Sequence, residues 1–205
     1  MVTCKESSIF RACMTATAIL WAVLLVACAS SGITQFEMVP PEGQVSSTSV
    51  LDEKVLLSAR YLDSDQRMIY LREKGYEALG IGLRQVSLET FSLTVSNRTD
   101  QEIILDPGSI RLAVGYGPLL SPYNYAHLYM ELPRGSGRQK ILEDLRKAIF
   151  DKSTTIKPGE MIEKLLLFKK PEMAREEAAL LFQRFYVGGE EMKATLSFKV
   201  VDLEK

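Results

Sequence analysis

The stretch Glu89–Ser96, ETFSLTVS, alternates apolar Phe91, Leu93 and Val95 with polar Ser92, Thr94 and Ser96. Successive side chains of a strand point to opposite faces, so a period of two makes one face apolar and the other polar. Wound as a helix, the same residues would scatter their apolar groups around the axis. The segment is therefore a half-buried strand that needs a second layer to cover it. SIRLAV (109–114) repeats the pattern with Ile110, Leu112 and Val114 on one face. TLSFKV (195–200) sets Leu196, Phe198 and Val200 against Thr195, Ser197 and Lys199. MIEKLLLFK (161–169) is apolar at consecutive positions in its centre, as expected of a strand buried on both faces.

Turn chemistry separates these segments. Asn97-Arg98-Thr99-Asp100, Asp106-Pro107-Gly108 and Pro158-Gly159 each interrupt an apolar run. Gly188-Gly189 lies between LLFQRFYV and MKATLSFKVVD, the layout of a hairpin. Val55–Tyr61 fits a short strand or the start of a helix. Six or so short strands with turns between them predict a mainly β, antiparallel sandwich.

Helical insertions are expected near 64–74, 122–150 and 171–179. Asp63-Ser64-Asp65 offers an N-cap before Gln66–Lys74, and Gly75 stands at the stop. In Pro122–Leu132, Tyr125, Leu128, Tyr129 and Leu132 form one helical stripe. In Arg138–Phe150, Ile141, Leu142, Leu145 and Ile149 oppose Glu143, Asp144, Arg146 and Lys147.

The pattern L-T-V-S-N-R-T-D-Q-E-I-I-L (93–105), followed by P-G-E-M-I-E-K-L-L-L-F (158–168), resembles the immunoglobulin-like domains of many small bacterial lipoproteins. The resemblance implies an immunoglobulin-like antiparallel β-sandwich. A Cys…Trp…Cys signature is missing, because the single Trp is Trp21.

The three cysteines, Cys4, Cys13 and Cys28, all stand at the N-terminal end, which rules out a disulfide framework spread through the fold. Lys5 and Arg11 precede an uncharged apolar run, Met14–Ala27, in the order of a secretory signal. A spanning helix needs about 20 apolar residues, and this run is shorter. Leu25-Val26-Ala27-Cys28 resembles the lipobox of bacterial lipoproteins. That resemblance implies cleavage of a signal peptide, 1–27, and a lipid on the Cys28 sulfur. Ala29 after the cysteine implies, by the same resemblance, the outer membrane on its periplasmic face. Residues 28–50, rich in Ser, Thr, Gly and Pro, read as a lipid-anchored tether, and 51–205 as the domain. A tether of this kind spans roughly 25 Å on average. Phe36, Met38 and Val39 leave a second possibility open, that this part docks on the fold.

The chemistry is sparse. One histidine, His127, excludes sites needing two, and no G-x-S-x-G elbow is present. GIGLRQ and GYGPLL lack the third glycine of a nucleotide loop. Basic and acidic residues number 25 and 26 without a dense basic run, so nucleic acid is not an expected partner. No cofactor and no metal site are expected. Tyr123, His127, Met130 and Arg134 form a row at i, i+4, i+7 and i+11, and such residue types are enriched at interface centres. The expected function is a membrane-anchored, non-catalytic binding or assembly module of the cell envelope with a protein partner. The alternatives are a carboxylate-dependent hydrolase or a small-ligand carrier.

Overall fold

The computed structural model describes residues 36–202, except 42, 43, 45, 52, 53, 136 and 172–176. The predicted signal peptide and Cys28 lie outside the described residues. Ten strands and four α-helices run in the order β1 (Phe36–Val39), β2 (Ser47–Leu51), β3 (Val55–Leu62), α1 (Ser64–Glu73), α2 (Glu77–Leu83), β4 (Leu88–Asn97) and β5 (Ile103–Leu105) among these residues. A 3₁₀ turn, Pro107–Ser109, leads into β6 (Ile110–Val114). Then come α3 (Tyr125–Glu131), α4 (Arg138–Ala148), β7 (Thr154–Ile156), β8 (Met161–Lys169), β9 (Glu177–Val187) and β10 (Glu190–Asp202).

The strands form two antiparallel sheets. One has the order β2-β3-β4-β8; the other runs β1-β10-β9-β5-β7, with β6 also paired to β9. Period two decides what lies between them. On β4, Phe91, Leu93 and Val95 point inward beside Tyr61, Ala59 and Leu57 of β3, in register. Leu112, Leu180, Phe182, Leu196 and Phe198 of the other sheet share this core. Phe91 meets Phe168 edge-on at 5.9 Å and Phe198 at 5.2 Å, geometries that favour ring pairs.

The other face of β4 and β8 builds a second core beneath the helices. Leu88, Leu165 and Leu167 pack there with Leu71, Leu79, Leu83, Leu128, Leu132 and Leu145. This is why LLLF is apolar throughout: Leu166 and Phe168 face one core, Leu165 and Leu167 the other. Burying each such side chain contributes about 1.5–3 kcal/mol. β8 is an edge strand, yet two of its outer carbonyls are taken. Phe150 N donates to Leu165 O at 2.9 Å and Tyr123 N to Leu167 O at 2.7 Å, which blunts an edge open to pairing.

The predicted α1 stands, with Asp63 capping it and Gly75 turning away at φ 78°. The hairpin stands too, with Val187 and Glu190 paired across Gly188 and Gly189 at φ 57° and 92°. Val55–Leu62 is a strand. Within the expected tether, the described segments dock on the fold as strands, Phe36–Val39 paired with β10 and Ser47–Leu51 with β3. This is the second possibility left open for Phe36, Met38 and Val39; residues 28–35 lie outside the described set. The helix expected at 171–179 is corrected where it is described: Glu177–Ala179 opens β9, paired to β10 and, through Ala178 and Ala179, to β6. Residues 172–176 lie outside the described set. Asp144, expected on the polar face of α4, is fully buried.

Candidate functional site

Helix α3 carries the predicted surface row. Asn124 caps it by accepting from His127 N at 3.0 Å, and Leu132 ends it in an extended conformation. Its buried stripe is Leu128 and Leu132. Tyr125 is half-buried and Tyr129 exposed, and each has a guanidinium over its ring. Arg146 lies 4.7 Å from the Tyr125 ring and Arg138 4.6 Å from the Tyr129 ring. Arg138 also donates to Tyr129 O at 2.6 Å and Leu132 O at 3.3 Å, closing carbonyls that a helix end leaves open.

Seven residues are too few to hold a row spanning twelve positions. Only His127 and Met130 lie on the helix, both exposed, Met130 by 69%. Tyr123 precedes the helix, is half-buried against the second core and sets its ring 5.6 Å from that of His127. Arg134 is exposed beyond the helix end. The connection leading to α3 adds Tyr116, fully exposed at a glycine turn, and Leu119, half-exposed.

A second site was not visible as a motif. Glu89 continues the inward row of Phe91, Leu93 and Val95 back to the start of the strand, where it is 2% exposed. Tyr61 Oη donates to Glu89 Oε2 at 2.7 Å. Burial pushes the Glu89 carboxyl above its ordinary range, against the Tyr61 hydrogen bond and the fields of Lys170 and Arg67. Burial, then the neighbouring carboxylate, raises the Tyr61 hydroxyl as well.

Arg67 of α1 is equally buried. Its guanidinium donates to Thr90 Oγ1 at 2.9 Å, Leu83 O at 3.1 Å and Leu88 O at 3.4 Å, riveting α1 and the end of α2 to the start of β4. Its Nε has no acceptor among the described residues. Burial lowers its proton affinity below the ordinary arginine value.

Glu89 and Arg67 line a cleft of about 610 Å³, together with Asp63, Asp65, Arg84 and Lys170. Asp63 accepts from Asp65 N and Gln66 N at 2.7 and 2.8 Å, and Asp65 pairs with Arg84 at 2.8 Å on the exposed rim. The available signal was phase: Glu89 is in register with three core residues, and Arg67 shares a helical stripe with buried Tyr70 and Leu71.

A third polar cluster clamps α1 to the sheet. Glu163 accepts from Lys74 at 2.5 Å and from Ser92 at 3.2 Å, and bonds to the Tyr70 hydroxyl. Burial would raise the Glu163 carboxyl, but these bonds outweigh it and hold the group below its ordinary value. Tyr70 is pushed up to about 12, chiefly by burial.

No family model matches the chain, and no curated protein matches it. Among solved structures, the yjhA protein from Bacillus subtilis is similar over 47% of this chain and 56% of its own, at 12% identity and a TM-score of 0.31. This chain thus spans a little over half the length of that one. A FixG-related protein from Vibrio parahaemolyticus is similar over 70% of this chain and 94% of its own, at 11% identity and a TM-score of 0.30.

Proposed function

We propose that this chain is a lipid-anchored, non-catalytic binding or assembly module of the bacterial envelope, built on an immunoglobulin-like sandwich and engaging a protein partner through the α3 region. The observation that carries the reading is the exposure of Tyr116 and Leu119 in the connection leading to α3 and of His127 and Met130 on α3 itself. Large apolar and aromatic groups left in water on a connecting segment are the usual material of interface centres.

Strand order supports the immunoglobulin-like part. β3, β4 and β8 lie adjacent as strands A, B and E do, and β10, β9 and β5 as G, F and C do. The anchor, a diacylglycerol on Cys28, rests on the lipobox, and the outer membrane on Ala29. β1 starts at Phe36, eight residues after that cysteine, which sets a maximum reach of about 28 Å and keeps the domain near the lipid surface.

Two observations favour this over the alternatives. Asp63 and Asp65 are engaged by the helix cap and Arg84, and Glu89 by Tyr61, an arrangement that differs from two carboxylates facing a reacting bond. Phe91, Phe168, Phe182 and Phe198 fill the space between the sheets that a carrier would keep open.

Photo-crosslinking residues placed at 127 and 130 in the full chain test the surface. The reading predicts one adduct of the same mass from both positions and none from exposed position 193. Adducts at 193 as abundant as at 127 and 130, or none at either, would contradict it.

A further inference from the structure

Between Arg111 and Glu131 the chain carries no Lys, Arg, Asp or Glu, although 25% of its residues are charged. β6 enters this run and Leu120 returns beside it: Leu112 N donates to Leu120 O and Leu120 N to Leu112 O, both at 2.9 Å. The segment between them is a loop clamped at its base. Gly115, at φ 51°, and the bond from Gly117 N to Val114 O make its bend. From Gly115 to Leu119 every residue is exposed, Tyr116 completely and Leu119 by 49%. An aromatic ring left wholly in water gains free energy when an apolar medium receives it.

The pairing register fixes the direction of this tip. Gly115 N donates to Glu177 O at 2.9 Å, Glu177 stands opposite Lys199, and Lys199 opposite Val39. β1 begins three residues further out, at Phe36 opposite Asp202. The tip and the start of β1 therefore leave the same end of the sheet. Phe36 projects about 10 Å beyond the level of Gly115, and three strand spacings, about 14 Å, separate β6 from β1.

We propose that the loop tip Gly115–Leu119 is a lipid contact: Tyr116 and Leu119 seat among the headgroups of the bilayer that holds Cys28 and fix the domain with this end toward the membrane. The proposal rests on the lipid-anchored reading above, which puts Cys28 within about 28 Å of Phe36. It assigns lipid to the loop part of the exposed surface and leaves His127 and Met130 to the protein partner. Tyrosine suits that depth, since its ring is apolar and its hydroxyl stays hydrated. The absence of charge on the tip suits it too, because a charged group there would resist leaving water. Acyl chains already hold the protein at the membrane, so the tip contributes orientation rather than retention.

The test uses the lipidated chain in phosphatidylethanolamine–phosphatidylglycerol vesicles, with intact mass reporting the lipid on Cys28 in the same sample. In the cleaved, lipidated chain an introduced cysteine is the one free thiol for a fluorescent label. Labels are placed through Tyr116→Cys, Leu119→Cys and Asp100→Cys, the last exposed in the turn before β5, which pairs with the far end of β9 at Val187. Nitroxide-bearing lipids should quench the labels at 116 and 119 at least about twofold more than the label at 100. Adding Tyr116→Asp should lower the quenching at 119 to the level at 100. Equal quenching at all three positions, or quenching at 119 that survives Tyr116→Asp, would overturn the proposal while leaving the anchor standing. A chain whose mass shows no lipid on Cys28 would overturn the anchor and the proposal with it.

Discussion

The side-chain amide of Asn97 donates to the carbonyl of Ile156 over 2.9 Å, joining the end of β4 to the end of β7. The same amide donates to Gln101 O at 2.7 Å, while Asn97 Oδ1 accepts from Thr99 N and Thr99 Oγ1. Its backbone pairs with Glu160 O and Gly159 N. One fully buried side chain thus holds the Asn-x-Thr turn and the Pro-Gly turn together, which gives the pairing of those two motifs a physical cause.

Asn97→Ala leaves buried carbonyls of Gln101 and Ile156 without this donor. A loss of about 3 kcal/mol in urea unfolding is expected. A loss below about 1 kcal/mol would mean that water replaces the amide.

Gly80 and Gly82 read as packing residues of α2. A Cβ on Gly82 would stand 3.3 Å from Ile141 and 3.4 Å from Leu132, whereas at Gly80 it would meet the flexible end of Met68. Gly82→Val should therefore destabilise by about 1–3 kcal/mol, while Gly80→Ala should be near neutral, helix propensity offsetting a small shift of Met68. Thermal melts of the two variants check the contrast. Equal losses would argue against it.

Glu89 makes stability depend on pH in a defined direction. Its folded-state proton affinity is raised, so the folded chain holds that proton more tightly than the unfolded one. The wild type accordingly loses stability as pH rises from the unfolded value, about 4.3, through the folded value. Glu89→Gln does not titrate and keeps an acceptor for Tyr61. The Tm of the variant minus that of the wild type should grow between pH 4 and pH 8. A difference that shrinks over that window would contradict the assignment.

The strands were legible where one face is wet and the other dry, as in Phe91-Leu93-Val95, because period two is then written directly in the residues. The two-sided burial of Leu165–Phe168 was legible as well. β1 and β2 were not read as strands, since FEMV and STSVL are short and set among Ser, Pro and Gly; backbone pairing with β10 and β3 makes them. α2 was hidden by its glycines, poor helix formers that are held by close packing. Glu177-Ala178-Ala179 favours helix by propensity, but ladders on both sides override it. The cleft was unread because its parts, Glu89 and Arg67, occupy positions that the pattern assigns to apolar side chains.

The measurement closest to the central claim is intact mass analysis of the membrane-extracted chain from its native host. The account predicts a chain beginning at Cys28 that carries a diacylglycerol on sulfur, and a Cys28→Ala variant that stays an uncleaved, unlipidated precursor. A wild-type chain without lipid, or a Cys28→Ala chain cut and retained in the membrane as before, would contradict it.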